Sequence, residues 1–218
     1  MYKTYIFDFN GTLLDDCDLC LKILNFITKE YNLGEVSMEK YKEIFTFPVY
    51  LYYKTLGFDT SHASFSIIAS KFHGYYNKLS YDECKIFDDV IEVLKSLKNK
   101  ATLVCLSASL QSTLEKQLKY YGIYEYFDFI VGLSDTHANS KEQAAIDFIN
   151  KENIDVNSTL FIGDSIHDYE VANAINVDCV LVSTGHTSKE RLLTTKCKVV
   201  DNLKQIILKN NLFLLYNI

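Results

Sequence analysis

The 218-residue chain has one proline, no tryptophan, and one arginine among its 22 basic residues. The single Pro48 excludes proline-rich linkers and polyproline modules. The lone Arg191 excludes a site built from several bidentate guanidinium forks, so a cation facing a phosphate is expected to be lysine. No apolar run reaches the roughly 18 residues of a transmembrane helix. The first residues, MYKTYIFDF, lack the apolar stretch and small-residue cleavage site of a secretory signal. Net positive charge is also missing: at −6, the chain has no global attraction for nucleic acid or an anionic membrane. Hydrophobic residues at 48% against 23% charged leave no room for bulk disorder.

Six cysteines are scattered at 17, 20, 84, 105, 179 and 197. Without a secretory signal they are expected to be reduced thiols in a cytoplasmic protein. Cys17 and Cys20 form a C-x-x-C, but no second pair lies at zinc-site spacing. The surrounding pattern is an amphipathic helix, so buried helical thiols are expected, with a redox or metal role as the alternative.

Short apolar runs alternate with helical stretches. Tyr5–Phe9, Thr102–Leu106, Phe129–Val131, Thr159–Ile162, Cys179–Val182 and Lys198–Val200 read as strands. Helices are expected near 89–98, 110–121, 141–152, 167–175 and 202–209. This alternation predicts an α/β fold with a Rossmann-like parallel sheet and helices on both faces. From 15 to 81 only helical periodicity is found, as in Leu19, Ile23, Phe26 and Ile27, or Ile67, Ile68, Phe72 and Tyr75. The expected organisation is an α/β core of 1–14 and 82–218 with an inserted all-α cap of 15–81. The apolar run Leu212–Tyr216 could pack on the core or on a partner; monomer and homodimer both remain open.

In such sheets, ligands bind beyond the carboxyl ends of the strands. The first strand ends in Asp8-Phe9-Asn10-Gly11-Thr12, which suits either a turn or an active site. The second ends in Leu106-Ser107-Ala108-Ser109, where Ser109 could cap the next helix and Ser107 could help bind an anion. Lys141 opens a helix, against the dipole, which suits either a solvated lysine or a nearby anion. The fourth strand ends in Gly163-Asp164-Ser165-Ile166-His167-Asp168; its two acids could hold a hard cation or simply open a helix.

Acid, hydroxyl, lysine and acid pair, in this order, resemble the four motifs of the haloacid dehalogenase superfamily, most closely its small phosphatases with a helical cap. The resemblance covers essentially the whole chain. It implies Asp8 as nucleophile and Mg²⁺ held by Asp8, Asp164 and the main-chain carbonyl of Asn10, with Asp168 acting largely from behind. It also implies that Gly11, Thr12, Ser107, Ala108 and Lys141 surround the phosphoryl group of a small phosphorylated substrate.

One position departs. These phosphatases carry an acid two residues after the nucleophile, and here Asn10 stands there. An amide cannot exchange protons as a carboxyl can, and lost acid–base help slows a reaction by about 10²–10⁴-fold. A slow or specialised phosphatase, a non-catalytic phospho-ligand or partner-binding protein, and C–P or C–halogen hydrolysis with a cap lysine such as Lys22 or Lys54 all fit. Deamidation of Asn10-Gly11 to Asp is a further alternative. Substrate choice could sit in the aromatic-rich stretch Phe45–Lys54, which could equally be packing. His167 and His186 lie near strand ends, where a structural role is the usual one and His186 could instead shuttle protons.

Overall fold

The computed structural model describes residues 2–134 and 140–207. Its strands are β1 (Thr4–Phe7), β2 (Leu14–Asp15), β3 (Lys85–Ile86), β4 (Thr102–Leu110), β5 (Phe129–Leu133), β6 (Thr159–Gly163), β7 (Asp178–Val182) and β8 (Lys198–Val200). Six of them form a parallel sheet in the order β5-β4-β1-β6-β7-β8. Counted by core strands alone this is the doubly wound Rossmann-like order. The direction of winding reverses between β1 and β6, the switch point where such folds bind ligands.

β1 is buried on both faces and supplies both cores. Tyr5 and Phe7 join one cluster, with Val90, Val93, Leu94, Leu114 and Leu118. Ile6 points the other way, among Val104, Leu106, Phe161, Ala145 and Val171. The two-residue period of a strand therefore serves two layers of helices. These are α5 (Val90–Leu97) and α6 (Gln111–Tyr120) on the first face, and α7 (Lys141–Glu152) and α8 (Ile166–Ala174) on the second. Each fully buried Leu or Phe contributes about 1.5–3 kcal/mol.

Between β2 and β3 lie four helices, α1 (Cys17–Glu30), α2 (Met38–Ile44), α3 (Val49–Thr55) and α4 (His62–Glu83). β2 and β3 pair antiparallel, Leu14 with Ile86 and Asp15 with Lys85, and so fasten the exit and return of this insertion side by side. Pro48 separates α2 from α3 and stands at the N-cap of α3. No helix among the described residues is long and apolar enough to cross a membrane.

Several sequence expectations shift. β1 stops at Phe7, because the Phe9 carbonyl already accepts the N–H groups of Leu13 and Leu14 in a turn. β4 runs on to Leu110 with a register shift after Leu106, so Ser109 is strand, not a helix cap; Leu110 occupies that position. Phe26, expected inside, is 44% exposed and rests against Tyr75 of α4. Ile67 is 56% exposed because the packed stripe of α4 follows Ile68, the half-buried Phe72, Tyr76 and Ser80 at four-residue spacing. The final helix is described only to 207, and Leu212–Tyr216 lies outside the described residues. All six cysteines are free thiols.

Candidate active site

Register brings the strand tips level. Phe7 lies opposite Cys105 on one side and Ile162 on the other. Asp8, Ser107 and Asp164 therefore emerge at one edge of the sheet. The Asp8 N–H donates to the Ile162 carbonyl at 2.8 Å, which pins the β1 tip to β6.

Lys141 opens α7 behind a Ser140 cap, yet it is only 5% exposed. The solvated-lysine alternative is thus excluded. Its ammonium donates to Asp8 Oδ1 and, at 2.5 Å, to Asp168 Oδ1. Asp168 is the third residue of α8, and its Oδ2 accepts from the N–H groups of Asp164 and Ser165 and from the Ser165 hydroxyl at 2.7 Å. In return the Asp168 N–H donates to Ser165 Oγ at 3.3 Å, completing a capping box. One carboxylate thereby shapes the β6–α8 turn and holds Lys141 against Asp8.

Asp164 accepts the His186 N–H at 2.7 Å and the Thr12 hydroxyl at 3.1 Å. Gly11, at φ +75°, lies so close that an added Cβ would stand 2.4 Å from Asp164 Oδ2. Gly11→Ala is expected to lower stability by about 1–3 kcal/mol through this clash and the left-handed backbone. A urea titration beside the parent chain checks it; an unchanged midpoint would show that the loop relaxes freely.

Burial pushes the Asp8 carboxyl well above the usual range, against the pull of Lys141 and with Asp168 and Asp164 adding to the rise. Burial also pushes Asp164 up to about 6, against the influence of His186. Burial acts on Asp168 too, but Lys141 and Ser165 outweigh it and hold that carboxyl low. Carboxylate oxygens of Asp8, Asp164 and Asp168 approach within 4.8 Å of one another. Three acids face one lysine, so a cation fits the charge left over, and an all-oxygen donor set suits a hard one.

The remaining expected residues divide. Ser107 is buried and its Oγ accepts the Ser109 N–H at 3.1 Å. Ala108 is exposed within β4, past Leu106 where the register shifts. Thr12 is spent on Asp164. Of the lysines of the insertion, Lys22 is paired with Glu83 and Lys54 is exposed. Within the aromatic stretch, Tyr52 and Tyr53 are buried in the insertion. Phe45 stacks on His186 at 5.0 Å, and Phe47 on His167 at 4.7 Å. The buried Thr187 hydroxyl has no partner among the described residues and lines a small crevice with Phe45, Phe47, His167 and Arg191.

Asn10 is held by a second polar network. Its amide donates to Asp16 Oδ2 at 2.8 Å and to the Tyr76 hydroxyl at 2.7 Å. Asp16 also accepts the Tyr76 hydroxyl at 2.6 Å, the Gly11 N–H at 3.0 Å, and a contact from His186 Nε2 at 3.1 Å. Across the same ring, Nδ1 meets the Tyr41 hydroxyl at 2.8 Å and Cys17 Sγ at 3.5 Å. Burial opposes ionisation of Asp16, but His186, Tyr76 and Asn10 hold its carboxyl below the usual range. Burial likewise opposes charge on His186, and Cys17 and Asp16 raise it well above its ordinary value. Asp16, Cys20 and His186 could together hold a metal, but this carboxylate already accepts from several donors. With Gly11 N–H bound to both Asp16 and Leu14, the nitrogen needed for succinimide formation is also engaged.

A family model described as haloacid dehalogenase-like hydrolase matches residues 5–182. The chain belongs to the haloacid dehalogenase-like hydrolases. A protein of Caldanaerobacter subterraneus subsp. tengcongensis, provisionally named pyrophosphatase PpaX, is 28% identical over 183 residues, covering 81% of this chain and 80% of its own length. Pyrophosphatase PpaX of Oceanobacillus iheyensis is 26% identical over 208 residues, covering 94% and 95%. Among solved structures, a predicted phosphatase of Clostridium acetobutylicum superposes with a TM-score of 0.83 at 22% identity, over 96% of this chain and 98% of that one. At that identity the likeness shows the fold alone.

Within this hydrolase, the Asp16–His186–Tyr76–Tyr41 network is what sequence reasoning did not find. The available signal was the doubled acid Asp15-Asp16 just before α1. Asp16 stands at the N-cap of that helix but makes no cap hydrogen bond, because its carboxylate turns toward Gly11 and Asn10 instead.

Proposed function

We propose that the chain is a Mg²⁺-dependent phosphohydrolase that transfers a phosphoryl group to Asp8 and from there to water. The observation that carries this reading is the Lys141 ammonium, buried between Asp8 and Asp168 and beside Asp164. One oxygen of Asp8 is held by Lys141 while the other attacks phosphorus, the O–P bond to the leaving group breaks, and water later cleaves the acyl phosphate on Asp8. Lys141 offsets the charge of the incoming phosphoryl group, and the Ser107 hydroxyl orients it with Gly11, Thr12 and Ala108 around it. Asp8, Asp164 and the Asn10 carbonyl would hold the cation, with Asp168 serving through Lys141. When bound, Mg²⁺ supplies positive charge against the anionic substrate. Residues 15–81 act as a cap domain over the core of 1–14 and 82–218.

Asn10 narrows the substrate. Its amide is fixed on Asp16 and Tyr76 and offers no acid to a departing oxygen. We therefore place the substrate among small molecules whose leaving group departs unprotonated, a phosphoanhydride or an acyl phosphate. The PpaX relatives, named as pyrophosphatases, support the first. Phosphate release from pyrophosphate and acetyl phosphate is expected to exceed that from an alkyl phosphate by at least about 100-fold, and to stop with EDTA. Equal rates on all three would overturn the leaving-group argument. Mg²⁺ and phosphate-analogue binding without turnover would favour a binding protein instead.

Mg²⁺ is also expected to raise Tm more at pH 7.5 than at pH 5. Asp164 titrates in the fold at about 6, above its unfolded value, so below that pH a proton occupies the group the cation needs. Thermal melts with and without Mg²⁺ check this; an equal shift at both pH values would place the cation elsewhere.

A further inference from the structure

β7 and β8 pair in parallel with Val180 opposite Lys198 and Val182 opposite Val200. One step back along both chains sets Cys179 beside Cys197. Neighbouring strands stand about 4.8 Å apart, inside the Cα separation of about 4.4–6.8 Å that a disulfide requires. Each thiol acts electrostatically on the other, and the Thr195 hydroxyl lies 3.2 Å from Cys197 Sγ. Both cysteines are partly exposed, Cys197 just before the edge strand β8, whereas Cys17, Cys20, Cys84 and Cys105 are buried.

We propose that Cys179 and Cys197 are a redox pair, a dithiol that a hydroperoxide converts to a disulfide between β7 and the start of β8. The assignment of roles follows from their surroundings. The Thr195 hydroxyl, 3.2 Å from Cys197 Sγ, can steady a thiolate there. In the same sense, the neighbouring Cys179 and Thr195 lower the Cys197 thiol against burial, while Cys197 and burial raise Cys179. Cys197 is thus the attacking thiolate and Cys179 the resolving thiol. In the first step the Cys197 sulfur bonds to one peroxide oxygen, the O–O bond breaks, and hydroxide leaves, giving a sulfenic acid. In the second, the Cys179 sulfur bonds to Cys197 sulfur, the S–O bond breaks, and the Cys179 proton leaves with that oxygen as water. Two sulfurs lose two electrons and the peroxide gains them.

The bond would close a ring around residues 180–196. That segment carries His186, whose N–H holds Asp164, and Arg191, whose Nη1 donates to the Lys42 and Phe45 carbonyls of the helical insertion. Oxidation therefore tightens the stretch that joins the core's acid to the insertion.

The test uses the full chain with hydrogen peroxide. Intact mass is expected to fall by about 2 Da, with a single cross-linked peptide joining 179 to 197 and a Tm rise of several degrees. At pH 7, before oxidation, Cys197 is expected to alkylate at least about tenfold faster than the four buried thiols. Cys179→Ala is expected to trap a dimedone-reactive sulfenic acid at 197, and Cys197→Ser to abolish the 2 Da loss. If Cys179→Ala misfolds, the peptide map of the parent chain still decides. An unchanged mass, a bond between other cysteines, or Cys197 labelling no faster than the buried thiols would overturn the assignment.

Discussion

Replacing Asn10 by aspartate is expected to weaken the protein rather than to restore a better phosphatase. The Asn10 amide donates to Asp16 at 2.8 Å, inside a region where Asp16 is ionised and almost wholly buried. A carboxylate at position 10 would face a second carboxylate there with no proton between them. One of the two must protonate or turn away, leaving Tyr76, Gly11 and His186 imperfectly paired. Breaking a buried charged pairing of this kind costs about 3–5 kcal/mol. Asn10→Asp combined with Asp16→Asn exchanges the two groups and is expected to recover most of that loss. The double variant, with a carboxyl beside Asp8, is also expected to gain about 10²–10⁴-fold on alkyl phosphates. Urea titrations and phosphate-release assays on both single variants and the double form the cycle. A single Asn10→Asp chain as stable as the parent and active on alkyl phosphates would show that Asp16 does not dictate the residue at position 10.

Lys141→Met is expected to remove activity and stability together. It leaves Asp8 and Asp168 without the cation they share, and both acids are buried. The expected loss is about 3–5 kcal/mol near neutral pH. Without Lys141 both acids are raised in the fold above their unfolded values, so the deficit is largest where they must ionise and shrinks as pH falls and they protonate. Turnover is expected to fall by at least about 10²–10³-fold, as when an electrostatic donor is lost from a transition state. Lys141→Arg should recover little, since a planar fork does not fit a space shaped for a point donor between two oxygens. Denaturation across pH 5–8 with parallel assays checks both effects. A variant within about 1 kcal/mol of the parent at pH 7 would mean that the acids are neutralised by something other than Lys141.

The parallel sheet was legible because its central strands are short, apolar and buried on both faces. Tyr5, Ile6 and Phe7 could only belong to the middle of such a sheet. The acid at position 8 was legible for the same reason, since a carboxylate at the tip of an apolar strand needs a partner. Lys141 was legible by place but not by state: nothing local separates a solvated first-turn lysine from one drawn inward, and the two acids that draw it, just past β1 and in the first turn of α8, stand 133 and 27 residues away in sequence. Ser109 was misplaced because a serine before a helix reads as a cap, while the register of β4 against β5 carries the strand past it. Phe26 and Ile67 were misplaced because an apolar residue next to a helical stripe cannot be told from one on it without the facing helix. The Asp16 network was illegible because it joins five segments, around positions 10, 16, 41, 76 and 186, and none carries a local pattern that names the others.

The most direct test of the account is the covalent step itself. The full chain, mixed with Mg²⁺ and acetyl phosphate or pyrophosphate and quenched in acid within the first turnover, is weighed intact. An added mass of about 80 Da that maps to Asp8, and that is absent from Asp8→Asn, is the expected result. Phosphate release that persists in Asp8→Asn, or the absence of both adduct and release in the parent chain, would contradict it.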